Sequence, residues 1–354
     1  PDHTTPPPPH TTTHHKPPTR TPTAGGDRPG LTAANRGVGN TAIVTYTMEV
    51  IGFSSGFLGL INKDYFTLEE KMLSGILTLG GTILGTSREK PFKKTGHLSI
   101  NKPILIKEHY HQLGLDCLVC IGGNGTQKTA TGLVEEGLNI IGLPKTIDND
   151  VWGTDETFGF DSALWIATDA IDRLHSTANS HKRIMVIEVM GHNAGWLTLY
   201  AGMAGGGDVI LIPELNYDID MVNKYLLDRA KKKKPYSIVV IAEGIEKHKK
   251  DSAASYISSQ IEKGTGIETR KTILGYIQRG GSPSPYDRLL ATIFGSHAVE
   301  LIAREDYGKM VIKKGNHISD IPLSEVGSKV RLVPKDHPLI ERALGLDICM
   351  GIKK

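Results

Sequence analysis

The sequence predicts an α/β protein built on mostly parallel sheets, and two features carry that expectation. Strand-like runs are apolar at nearly every position: MEVIGF, DCLVCIGG, NIIGLP, RIMVIEVMG, DVILIPE, YSIVVIAEG and TILGYIQRGG. Helical pieces separate them, among them SALWIATDAIDRLHSTA and YDRLLATIFGSHAVELIA. The second carries apolar residues at helical spacing, from Leu289 and Leu290 through Ile293 to Ala298 and Leu301. A sheet with one wet face alternates apolar and polar side chains. Strands that stay apolar are covered by helices on both sides, the mark of parallel sheets.

The 354 residues suffice for two domains. An apolar content of 39% with 22% charged residues describes a soluble globular chain. No apolar run reaches the ~18 residues of a membrane span, and no apolar segment of a signal peptide opens the sequence. A net charge of +3 gives a nucleic-acid partner little support. Three cysteines, Cys117, Cys120 and Cys349, make no disulfide framework. Cys117 and Cys120 form a C-x-x-C inside an apolar strand, where cysteine acts as a small apolar residue. Redox chemistry is therefore the weaker reading, and a reducing cytoplasm is the expected setting.

Residues 1–24, PDHTTPPPPHTTTHHKPPTRTPTA, hold hardly an apolar side chain and are expected to be disordered. Their four histidines suit loose metal binding or a tag-like tail. The lysine run 231–234 reads as a solvated helix end. From 305 to 345 apolar and polar residues alternate, which suggests strands, but no motif stands out.

Function is expected beyond the carboxyl ends of the strands. Three glycine-rich stretches, GGNGTQK (122–128), GGDRPG (25–30) and LGGTILGTSR (79–88), let backbone amides approach a phosphate, and the last adds Arg88. GLPKTIDND (142–150) places Lys145, Asp148 and Asp150 within six residues of one another. The run VIEVMG ends in Met190 and Gly191 and leads into His192; VVIAEG carries Glu243 at its end. TILGYIQRGG carries Arg279, with Arg270 at the other end of that strand. Turn-forming Asn and Asp explain one or two of these sites. The whole set suits a phosphorylated ligand and a carboxylate base.

GGNGT, PKTIDND, RIMVIEVMG, AEG and LGYIQRGGSPSPYDR resemble the motifs of 6-phosphofructokinases, in the same order, from about Gly25 to the C-terminal LDICMGIKK. The resemblance implies two three-layer α/β domains with the active site in the cleft between them. Residues 25–158 plus 278–330 would bind nucleotide, and 159–277 plus 331–354 the sugar phosphate. The implied reaction moves the terminal phosphoryl group of ATP to the 1-hydroxyl of fructose 6-phosphate, giving fructose 1,6-bisphosphate in glycolysis. Asp148 would be the base, a role worth ~10²–10⁴-fold. Lys145, Thr146 and Arg88 would assist, the cations stabilising charge on the transferring group. Gly25, Gly26, Arg88, Gly123, Asn124, Gly125 and Thr126 would hold the nucleotide, and Asn124 and Asp150 the Mg²⁺. Thr146, Asp148, Asp150, Met190, Gly191, His192, Glu243, Tyr276 and Arg279 would meet the sugar phosphate. Arg183 and Arg270 match arginines that reach the 6-phosphate from a neighbouring subunit, which implies a homo-oligomer, a dimer or tetramer.

Gly125 accompanies ATP in this family, because a side chain there would fill the space of the α-phosphate; an aspartate goes with pyrophosphate. Lys145 is typical of pyrophosphate users, although some ATP users combine this glycine with this lysine. ATP is the expected donor. A pyrophosphate-dependent enzyme and a catalytically silent regulatory homologue are the alternatives.

Four departures from the family pattern stand out. Asn124 replaces an aspartate near the metal, so Asn124→Asp is expected to keep or raise activity. His192 replaces an arginine and loses a permanent charge and a bidentate fork. Tyr276 replaces a histidine but keeps one donor. Upstream of GGD the family has an apolar central strand, whereas this chain has PPTRTPTA, and proline cannot donate to a ladder. A missing strand, from a sequence error or a damaged gene, is the expectation, and deletion of 1–22 should leave stability unchanged. Asn35 and Thr32 also stand where the family has an aliphatic residue and an asparagine.

Overall fold

The computed structural model describes residues 20–25, 29–93, 101–246 and 251–353, with side chains from residue 29 onward. Along them run β1 (Arg20–Gly25), β2 (Glu49–Phe53), β3 (Tyr65–Thr67), β4 (Leu118–Gly122), β5 (Ile140–Pro144), β6 (Ile184–Val189), β7 (Val209–Leu211), β8 (Ser237–Ala242), β9 (Thr269–Ile273), β10 (Lys309–Lys314) and β11 (His317–Pro322). They form two sheets, ordered β11-β10-β5-β4-β1-β2-β3 and β7-β8-β6-β9. The second is parallel throughout. The first is parallel except at its edges, where β3 and β11 pair antiparallel.

Each sheet has a core on both faces, which is why β4, β5, β6 and β8 are buried at every residue. In β4, Val119 and Ile121 join helices Leu31–Asn40 and Pro285–Ala303 in one core. Leu118 and Cys120 face the other way, toward helices Lys102–Gln112 and Asn124–Glu135. In β6, Met185, Ile187 and Val189 join helices Phe160–His181 and Trp196–Ala204, while Ile184 and Val186 face helices Ile219–Lys231 and Ala253–Thr265. Ser252 and Ser284 cap helix starts by accepting from Ser255 N–H (3.1 Å) and Asp287 N–H (3.2 Å). Helix Pro285–Ala303 belongs to the first sheet, and Val333, Ile340 and Met350 to the core of the second.

Two expectations fail. The strand thought missing is present: β1 lies in the middle of the first sheet, paired with β2 from Arg20 to Thr23 and with β4 from Thr23 to Gly25. Pro22 sits where only β2 is laddered, opposite Ile51, before the β4 register begins. That placement lets a proline enter a central strand. The tail boundary at residue 24 therefore moves, and deleting 1–22, which removes three paired residues, should lower the melting temperature. Residues 1–19 and 26–28, the latter including Gly26 within GGDRPG, lie outside the described residues. The segment 305–345 is strand only to Pro322; a short turn and helix Pro338–Gly345 follow. Cys117 and Cys120 are fully buried, and burial pushes both thiols up, away from reactivity. No helix among the described residues is long and apolar enough to cross a membrane.

Candidate active site

The segment after β5 is not a surface turn. Lys145 and Thr146 are each 3% exposed, Asp148 8% and Asp150 6%. The shape of the turn comes from its neutral members. Asp148 N–H donates to Thr146 Oγ1 at 3.1 Å. Asn149 adopts the left-handed conformation (φ 52°), which asparagine tolerates better than most residues. Its Oδ1 accepts Thr157 N–H at 2.9 Å, and the Thr157 hydroxyl donates to Thr146 O at 2.7 Å. Asn149 and Thr157 thus hold the aspartates in place, a role that no motif announced. Ile147 joins the core of the second sheet with Met190, Ala194 and Leu274, so the turn meets the ends of β6 and β9.

The glycine loop lies on the other side. Lys145 N–H donates to Gly122 O at 3.0 Å, joining the ends of β4 and β5. Gln127, fully buried, also spans them by donating to Gly122 O and Leu143 O, each at 2.9 Å. Helix Asn124–Glu135 begins here, so Asn124, Gly125 and Thr126 form an N-terminus suited to an anion. Asn124 Nδ2 donates to Asp150 Oδ2 at 2.7 Å, while its own Oδ1 is buried without a hydrogen-bond partner. A Cβ added at Gly125 would meet nothing within 4 Å, so the fold does not require glycine there. The space belongs to a cleft of about 600 Å³, lined among others by Phe92, Gly125, Lys128 and Thr129. Phe92 packs on Gly132, where a Cβ would come within 2.7 Å of its ring. Arg88, exposed, lines an adjoining pocket with Lys102, and Lys90 and Lys93 border both. Gly25 ends β1 opposite Ile121, beside the glycine loop.

At the second sheet, Val189 pairs with Ala242, so the loops after β6 and β8 are neighbours. Glu243 Oε1 accepts Gly191 N–H (3.2 Å) and His192 N–H (2.8 Å). The backbone there is tight: His192 has φ 52°, and a Cβ at Gly244 would come within 2.1 Å of His192 O. Met190 is buried. Glu188, inside β6, holds a helix start by accepting Ala254 N–H at 2.7 Å, and burial raises its carboxyl pKa, with Glu243 adding to the rise. After β9, the Arg279 guanidinium lies 4.9 Å from the centre of the Tyr276 ring.

Arg183 and Arg270 stand apart. Arg183 precedes β6 and Arg270 pairs with Met185, so both lie at the opposite ends of these strands from Met190 and Glu243. Five residues for Arg270 and seven for Arg183, at ~3.3 Å each, put them roughly 15–25 Å away. Both bind Glu268: Arg183 Nε donates to Oε2 at 2.5 Å, and Arg270 pairs with Oε1. These cations hold the Glu268 carboxyl below its usual range, Arg183 first.

Fold and site together define an α/β protein with a cleft beside a glycine loop that is bonded to a buried carboxylate turn. The phosphofructokinase family pattern matches residues 21–302, and the chain belongs to that family. It is 61% identical over 330 residues to the ATP-dependent 6-phosphofructokinase 3 of Bacteroides thetaiotaomicron, covering 93% of this chain and 98% of that one. It is 54% identical to the ATP-dependent 6-phosphofructokinase of Spirochaeta thermophila, over 93% of this chain and 96% of that one. A Streptomyces coelicolor pyrophosphate–fructose 6-phosphate 1-phosphotransferase is 43% identical over 88% of this chain and 94% of its own length. In fold, the chain is similar to the pyrophosphate-dependent phosphofructokinase from Nitrosospira multiformis, with TM-score 0.81, 20% identity and coverage of 94% and 91%.

Proposed function

We propose that this chain transfers the terminal phosphoryl group of ATP to the 1-hydroxyl of fructose 6-phosphate, giving fructose 1,6-bisphosphate and ADP. One observation carries this reading: the buried Lys145–Asp150 turn is bonded directly to the glycine loop, whose open side at Gly125 faces a cleft of nucleotide size. Asp148 takes the proton of the hydroxyl as its oxygen bonds to phosphorus and the bridging oxygen leaves with ADP. Lys145 and Arg88 offset charge on the transferring group. Thr146, Met190, Gly191, His192, Glu243, Tyr276 and Arg279 receive the sugar phosphate. The names of the Bacteroides and Spirochaeta relatives support ATP as donor.

Mg²⁺ fits the site. Among the described residues no group of three or more His, Cys, Asp or Glu is arranged for a metal. However, Mg²⁺ bound with nucleotide needs only one or two protein oxygens beside phosphates and water. The Asp150 carboxylate and the partnerless Asn124 Oδ1 are such oxygens. When bound, the ion would offset negative charge on the phosphates.

A homo-oligomer completes the site in this reading. Arg183 and Arg270 cannot reach the Asp148 turn of their own chain, and β9, which carries Arg270, is an edge strand. Ile273, Tyr276 and Ile277 are exposed near it, at 47%, 70% and 62%, a surface suited to a second copy. A cytoplasmic setting belongs to the same reading.

The pyrophosphate alternative is favoured by Lys145 and by the name of the Streptomyces relative. A coupled assay with Mg²⁺, fructose 6-phosphate and either donor decides. Turnover with ATP is expected; turnover with pyrophosphate alone, or with neither donor, would overturn the assignment.

A further inference from the structure

The turn that carries Asp148 is held from behind by a stretch of chain that no motif covers. Lys329 lies 5.3 Å from the centre of the Trp152 ring, and Val330 bridges antiparallel to Val151. Arg331 N–H then donates to Asp150 O at 2.9 Å. Its guanidinium donates to Asn149 O at 3.0 Å. Two successive carbonyls of the turn thus end on one residue, and the first belongs to the left-handed Asn149.

The other side of Arg331 is anchored in the second domain. Its guanidinium stacks 3.8 Å from the centre of the Trp196 ring, and Trp196 Nε1–H donates to Arg331 O at 3.0 Å. Two residues on, Val333 N–H donates to Glu214 Oε1 at 3.0 Å. The same oxygen accepts Gly195 N–H at 2.9 Å, in the loop that continues from Gly191 and His192. Val333 itself is buried in the second core. A planar guanidinium stacked on indole has little freedom, and a residue held at positive φ depends on what surrounds it.

We propose that Arg331 is a positioning residue for phosphoryl transfer: stacked on Trp196 in one domain and bonded to Asn149 and Asp150 in the other, it sets the aim of the Asp148 carboxylate toward the sugar-phosphate half of the site. This rests on the reading of Asp148 as the base. Arg331 touches no reacting atom and acts through the turn.

The test uses purified full chains carrying Arg331→Met, Arg331→Lys and Trp196→Phe. Methionine keeps apolar bulk against Trp196 and removes the donors. For Arg331→Met, kcat is expected to fall about 10²-fold, as for a ~1 Å misalignment. KM for both substrates should stay within about threefold, because the lost interaction serves the transition state. Arg331→Lys, with charge but no fork, should recover only part of the rate. A folded Arg331→Met with wild-type kcat, or with a raised KM and unchanged kcat, overturns the proposal. If Arg331→Met does not fold, Trp196→Phe decides: a smaller loss of kcat supports the tie, and an unchanged kcat sinks it. Amide hydrogen exchange separates this inference from the base assignment. Exchange at residues 149–151 should speed up in Arg331→Met whatever the activity, and unchanged exchange overturns the role of Arg331.

Discussion

The turn at Lys145–Asp150 and the Arg183–Glu268–Arg270 cluster are both dense in charge, yet they are built in opposite ways. The first is buried, and neutral groups frame it: Thr146, Asn149 and Thr157 fix the backbone of the turn, and Asn124 bonds the Asp150 carboxylate. The second is exposed, on the starts of two strands, and its arginines share one carboxylate. A buried charge must be satisfied by its own chain, because an uncompensated one would cost several kcal/mol. An exposed pair contributes about 0–1 kcal/mol and exchanges partners easily. In the proposed reading, the contrast is between a preorganised reacting centre and a pair of cations that would exchange Glu268 for a phosphate on a second copy.

The sharpest break of that comparison is Asp148→Asn. It preserves shape and removes the base, so kcat should drop ~10²–10⁴-fold with no loss of thermal stability; a drop under tenfold would move the base elsewhere. At the other cluster, Arg270→Ala should leave folding intact. KM for fructose 6-phosphate should rise roughly tenfold to a hundredfold, from the ~1.5–3 kcal/mol of a charged hydrogen bond. A changed KM for ATP instead would place Arg270 wrongly.

A third test concerns the joint between the two domains. Asp287, on the helix of the first sheet, accepts the N–H (2.8 Å) and hydroxyl (2.5 Å) of Ser162, which starts the long helix of the second. Burial, with Asp161 adding, pushes its pKa up from 3.8 to about 6. The folded state therefore binds the proton more tightly than the unfolded one. The stability this gives is present below about pH 4 and is lost as pH rises through about 6, by ~3 kcal/mol over the interval at 1.36 kcal/mol per unit. Asp287→Asn lacks that titration, so its stability relative to wild type should improve across this window in urea melts; parallel curves would refute the shift. The smallest effect belongs to Asn35, 1% exposed in helix Leu31–Asn40, with neither Oδ1 nor Nδ2 hydrogen-bonded. Asn35→Leu should stabilise by about 1–3 kcal/mol, read as a higher urea midpoint.

The same contrast explains what the sequence revealed. Strands such as β4, β5, β6 and β8, covered on both faces, are apolar at nearly every position and could be read, whereas TILGYIQRGG is strand only to Ile273; aspartates beside glycines at strand ends pointed to the candidate site. β1 escaped because Thr and Pro have no apolar pattern; its place is dictated by the neighbours β2 and β4, not by local preference. Asn149, Thr157, Gln127 and Arg331 escaped for a related reason. Their work is to bond backbone atoms of residues distant in sequence, and such a partner cannot be inferred from residue type. Arg183 and Arg270 were singled out only through a family resemblance, since nothing in their local sequence distinguishes them from surface charge.

The vacant volume above Gly125 bears on how such enzymes diversify. Where a side chain would strike no atom of its own protein, selection at that codon feels the incoming substrate and hardly the folded chain at all. Under the proposed reading, substitution at Gly125 would change the choice of phosphate donor while the scaffold keeps its melting point.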